Sequence, residues 1–170
     1  MDSLRDDPQL GRIAEKLPDF KLDFKLQTVE QLLGKDYTPE LREAFPDVLP
    51  PYQPFGYLAL LQLRLPRKKI GSIIVPDSET DVERYRTQAS LVRALGPMTF
   101  CDRQTGARWV EGPWYQPGSF IRCPMFGGDR FNVEFTPPGS KIKEHVTFVF
   151  IKEADAIALV TGDPLNIATS

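Results

Sequence analysis

From Gly56 onward, apolar and polar positions alternate in short runs broken by glycine and proline. That period-2 pattern with frequent turn residues predicts an all-β chain. Tyr57 to Leu65 reads as a strand with Leu61, Leu63 and Leu65 opposite Gln62 and Arg64. Pro66 to Lys69 is a loop, and Ile70 to Val75 a short apolar strand closed by Pro76-Asp77. Tyr85 to Leu95 is a longer strand stopped by Gly96-Pro97. Turn signals at Cys101 to Gly106, Glu111-Gly112-Pro113 and Gln116-Pro117-Gly118 make residues 98–118 a hairpin excursion. Ser119 to Cys123, Arg130 to Phe135, Lys143 to Ile151 and Ala156 to Val160 complete the strands, with Gly127-Gly128-Asp129, Thr136 to Ser140 and Glu153 to Asp155 as turns. Leu61, Leu63, Ala89, Leu91, Ile121, Val133, Phe148 and Phe150 are the expected core.

The pattern before Gly56 is different. Pro8 to Leu17 has helical spacing and is stopped by Pro18. Asp19 to Leu26 alternates strictly, placing Phe20, Leu22, Phe24 and Leu26 on one greasy face. Thr28 is a helix cap for Val29 to Leu33, with Gly34 as the stop, and Thr38-Pro39 opens another helix that Pro46 ends. Pro50 to Pro54 reads as a stiff extended linker. The expected organisation is therefore an N-terminal arm over 1–55 and an all-β barrel or sandwich over 56–170. The arm's apolar residues come as sparse anchors, so it reads either as a flexible tail or, the favoured expectation, as an arm that packs outside its own β-domain, against other chains.

Composition narrows the functional classes. The 170 residues are 41% hydrophobic and 26% charged, which is the range of a folded globular chain. The formal net charge of −2 is not the basic footprint of a nucleic-acid binder. The arm carries seven Lys/Arg against eleven Asp/Glu, and the rest carries fourteen against twelve. No apolar run is long enough to span a membrane, and the acidic start is no secretory signal. One histidine and two cysteines, Cys101 and Cys123, leave no metal-ligand spacing, and the expectation is no metal and no cofactor.

Four constellations are candidates for chemistry. His145 falls on the polar face of a strand, where a solvent or interface role explains it. Asp77, Glu79, Asp81 and Glu83 alternate beside Arg84 and Arg86, as in a solvated charged loop. Gly127-Gly128 with Arg122 and Arg130 could cradle a phosphate, although a hairpin turn accounts for it better. Trp109, Trp114 and Tyr115, with Arg103 and Arg108, could stack on bases or anchor a protein contact. None supports an enzyme.

Order along the chain adds a resemblance. Gly71-Ser72-Ile73-Ile74-Val75-Pro76, Ala89 to Pro97 ending in Gly-Pro, Glu111 to Ile121, and Phe150 to Val160 with its acidic turn follow one another as in the GroES-type, ten-kilodalton co-chaperonin family. The chain is most similar to divergent, phage-encoded members, from Tyr57 to Val160; the arm has no counterpart. The resemblance implies a small β-barrel that assembles into a ring and, in a working lid, a docking triplet at Ile73, Ile74 and Val75 for a chaperonin ring. Pro66 to Ile70 is short for the long mobile loop such a lid uses, and Gly118-Ser119 stands where the family has Gly-Asp.

The favoured expectation is a non-enzymatic structural protein of a phage virion. It would decorate or cement the capsid, or sit in a head–tail ring, with other copies of itself and major capsid or head–tail proteins as partners and the arm as a latch. Assembly would take place in the bacterial host cytoplasm. The alternative is a cytoplasmic co-chaperonin lid. Partner-binding candidates are Ile73, Ile74, Val75, Phe20, Leu22, Phe24, Leu26, Trp109, Trp114 and Tyr115, with no nucleic acid and no membrane expected.

Overall fold

The computed structural model describes residues 26–66, 69–70, 73–74 and 88–166. Helix α1 (Val29–Leu33) opens on a reciprocal capping box: the Thr28 hydroxyl accepts from the Gln31 amide, and the Gln31 side chain accepts from the Thr28 amide. A 3-10 turn over Gly34–Asp36 leads to α2 (Pro39–Ala44), capped by the Thr38 hydroxyl with proline at its start. Helices this short are not stable alone in water, so packing must hold them. Val29, Tyr37, Leu41 and Phe45 supply that packing, and all four are buried in a cluster with Leu91.

The strands are β1 (Leu58–Leu63), β2 (Lys69–Ile70), β3 (Ile73–Ile74), β4 (Ala89–Leu95), β5 (Phe120–Arg122), β6 (Asp129–Phe135), β7 (Glu144–Lys152) and β8 (Ala158–Leu159). Six form one antiparallel sheet in the order β6-β7-β1-β4-β5-β8, and β2 pairs with β3 in a separate ladder. The chain is thus mostly sheet with few helices, as the alternation predicts. Ile70 pairs with Ile73 and Lys69 with Ile74, so the single strand expected over Ile70 to Val75 is instead a hairpin. Gly96 closes β4 against the turn at Gly56; a Cβ there would collide with the Gly56 carbonyl oxygen, so only glycine fits.

Successive side chains point to opposite faces of a strand, and both faces of this sheet are covered. On the first face lie Ala59, Leu61, Leu63, Val92, Ile121, Cys123, Val149 and Ile151, roofed by Phe100 and Tyr115 from the excursion between β4 and β5. On the second lie Leu60, Val146 and Phe148, with half-buried Phe131, Val133, Phe135 and Phe150. Leu91 meets α1 and α2 on that side. The expected core residues are buried, except that Val133 and Phe150 are half-buried. They serve two cores, however, one on each face.

Two expectations change. Among the described residues the sheet is open, with β6 and β8 as its edges, and closure into a barrel is not part of what they form. Second, residues 26–50 do not stand off from their own sheet. They cover its second face, because the sparse anchors of this stretch match the apolar and buried polar side chains that β1, β4 and β7 present there. Pro8 to Leu17 and most of the alternating stretch 19–26 lie outside the described residues.

Candidate functional site

Beneath the helices sits a buried polar network that the alternation pattern does not announce. Strand β1 pairs Leu60 with Ala94 and Leu61 with Val92, which leaves Arg93 as the extra residue of a β-bulge. Arg93 is 1% exposed and Gln62 fully buried. The Arg93 guanidinium donates to the Gln62 side-chain carbonyl at 2.6 Å, to the Val48 carbonyl at 2.8 Å and to the Gln27 carbonyl at 3.1 Å. The Gln62 amide in turn donates to the Pro46 carbonyl at 2.9 Å. Burial pushes the Arg93 pKa down, and the charge of Asp47 opposes that shift. Asp47 itself accepts from the Val29 amide at 2.9 Å. This network ties residues 27–48 to the sheet and presents no reactive group to solvent. Its one signal in the sequence is a charge inside an otherwise apolar strand, Leu91-Val92-Arg93-Ala94-Leu95.

Tyr37 completes the same layer. Its hydroxyl donates to the Phe45 carbonyl at 2.6 Å. Its pKa is pushed up to about 12, first by burial and then by the charge of Asp47.

The aromatic excursion on the opposite face is the other candidate. Phe100 takes a left-handed backbone (φ 58°) and is buried. Trp109 and Tyr115 meet its ring edge-on at 5.5 and 5.0 Å. The Tyr115 hydroxyl donates to the Glu153 carbonyl at 2.8 Å, and burial raises its pKa. Tyr115 is therefore a core residue rather than a surface anchor. Trp109 is half-buried, while Trp114 is 42% exposed and Val110 fully exposed. Trp109 and Trp114 lie 5.0 Å apart and tilted, and the Trp114 indole donates to Glu111 at 2.8 Å. At the hairpin tip Asp102 accepts from the amides of Thr105 and Gln104, which hold its carboxyl below the usual range. A shallow groove runs between Asp102, Arg108, Trp109, Val110, Glu111 and Trp114. Its mixed charge and exposed apolar side chains suit contact with protein; the Thr105 hydroxyl donates to the Asp102 carboxylate at 3.1 Å as part of the turn that also takes the Thr105 and Gln104 amides.

The remaining candidates are dispersed. Ile73 and Ile74 form β3 in the small ladder, outside the six-stranded sheet. Val75, Phe20, Leu22 and Phe24, and the Asp77 to Glu83 carboxylates, lie outside the described residues. Leu26 is half-buried against its own second face. His145 sits opposite Glu134 across the β6–β7 pair, half-buried, with Nδ1 buried and lacking a hydrogen-bond partner. At Gly127-Gly128 no phosphate cradle forms: Arg122 donates to the Gln88 side chain and Arg130 to the Met125 carbonyl, both at 2.8 Å. Among the described residues no three His, Cys, Asp or Glu side chains gather in a metal-binding group, and no helix is long and apolar enough to cross a membrane.

No protein-family model matches the chain, and no curated protein matches it either.

Proposed function

We propose that this chain is a non-enzymatic structural protein that works by assembling with other copies of itself and with a larger shell. The observation that carries the reading is where apolar and backbone groups stay uncovered. Both sheet faces are filled from within, yet among the described residues the edges at β6 and β8 are open, and Val110, Trp114, Ile157 and Leu159 are all more than 40% exposed. Open edges and exposed aromatics are the usual material of protein contacts.

The setting we propose, a phage virion assembled in the bacterial host cytoplasm, rests on the resemblance to divergent phage-encoded co-chaperonins. So does a barrel, which would need the β6 and β8 edges to be joined. Within this reading the chain decorates or cements the capsid, or lies in a head–tail ring, and the part of the arm before Leu26 latches a neighbour.

Density-gradient sedimentation of lysates from phage-infected cells carrying a tagged copy tests the proposal. Co-migration with assembled particles at a fixed stoichiometry supports it. Absence from particles, together with nucleotide-dependent co-elution with a purified chaperonin ring, overturns it in favour of the lid.

A further inference from the structure

Strand β6 is seven residues long, contains no proline, and has one edge without a strand partner among the described residues. Such an edge presents unpaired amides and carbonyls that template pairing with another strand. Its side chains are sorted. Phe131, Val133 and Phe135 belong to the apolar second face, while Asn132 and Glu134 are exposed on the other. The stretch Asp19 to Leu26 has the same period and the same sorting, with Phe20, Leu22, Phe24 and Leu26 alternating with Asp19, Lys21, Asp23 and Lys25. Laid beside β6, it would extend the apolar face with its aromatics and set its lysines on the opposite face, the one that carries Glu134.

The remaining question is whose segment fills the edge. Gln27 is held by Arg93 above β1, since that guanidinium also bonds Gln62 of β1 and lies 6.0 Å from the Phe148 ring of β7. Reaching β6 from there means crossing about two strand spacings, ~10 Å, and descending about a layer, ~10 Å. That path of roughly 14 Å consumes about four extended residues. A chain using its own arm would have only about four of the seven residues 19–25 left for pairing. A second copy has the whole stretch to offer.

We infer that the β6 edge is the docking slot for residues 19–25 of a second copy of this chain, added as a strand. The inference rests on the assembly reading above and specifies its contact.

The test uses the full chain. An equal mixture of 15N-labelled and unlabelled protein is treated with a zero-length carbodiimide cross-linker, and the linked peptides are weighed. The expected result is links joining Lys21 or Lys25 to Glu134 whose two halves carry different isotopes. In parallel, Phe20→Asp/Phe24→Asp should weaken self-association by about a hundredfold or more, as loss of two buried aromatics requires. Amide exchange in β1 and β4 should be unchanged, which shows that the variant folds. Same-isotope links alone, or no links between these segments, overturn the inference. An oligomer that survives in the double variant overturns it while leaving the assembly reading standing. A wild-type chain that is monomeric at every concentration removes both.

Discussion

Arg93 and Gln62 meet at 2.6 Å on the covered face of the sheet, where a bulge in β4 turns a charged side chain toward a glutamine of β1. Between them they bind the carbonyls of Gln27, Pro46 and Val48, so two polar residues of the sheet supply the fastening for the segment that covers them. A buried charge held mainly by neutral acceptors is stable only while those acceptors stay in place.

Arg93→Met should therefore cost about 3–5 kcal/mol, because three acceptors lose a charged donor in a dry site. Chemical denaturation measures the loss. Amide exchange should show residues 27–48 loosening before β1 and β7 do. A variant as stable as wild type would mean that water or another donor replaces the guanidinium.

Phe45 is fully buried and packs against Phe120 at a ring distance of 5.2 Å. Phe45→Ala should cost about 3–5 kcal/mol, as for an aromatic of a domain core. Deleting residues 1–50 should then leave a sheet that fails to fold cooperatively, since Leu60, Leu91 and Phe148 lose their cover. The composition-based view of the arm as an outlying appendage predicts the opposite, an intact sheet after deletion. Near-ultraviolet circular dichroism of the truncated chain distinguishes the two.

Alkaline pH should unfold the protein through its buried phenols. Tyr37 has a folded-state pKa of about 12, and that of Tyr115 is also raised by burial. In the unfolded chain a tyrosine ionises near pH 10. The stabilisation from these groups is complete below about pH 10 and is lost as pH rises from there through the folded-state value. Tyrosinate absorbance during a pH titration, followed alongside unfolding, checks this. Tyr37→Phe should flatten the decline; an unchanged alkaline slope would refute the assignment.

The two thiols should react at different rates. Cys123 is 1% exposed, and burial pushes its thiol pKa up, while Cys101 is only half-buried. A thiol-specific reagent at mildly alkaline pH should label one cysteine quickly, and Cys101→Ser should abolish that phase. Cys123 should label only at the rate of unfolding. Rapid labelling of both would show that the roof over Cys123 opens readily.

The local elements of this chain were legible in its sequence. Thr28, Gly34, Thr38 and Pro39 place two helices through capping and backbone preference alone, and alternation places the long strands β1, β4, β6 and β7 within a few residues. These are short-range effects, set by neighbours along the chain. What lies above the strands was decided only by the tertiary structure. Gln62, Arg64 and Arg93 look like a solvent face by residue type, yet they are buried, because distant segments bring complementary carbonyls: residues 26–50 to Gln62 and Arg93, and Pro164 to Arg64. Tyr115 looked like a surface anchor for the same reason: nothing nearby in sequence shows the Glu153 carbonyl that its hydroxyl reaches. Period-2 patterning identifies two faces of a strand but not what covers each, since that depends on which distant segment can satisfy the polar groups there. The bulge that turns Arg93 inward is likewise a matter of register between β1 and β4, a relation between strands that neither strand encodes alone.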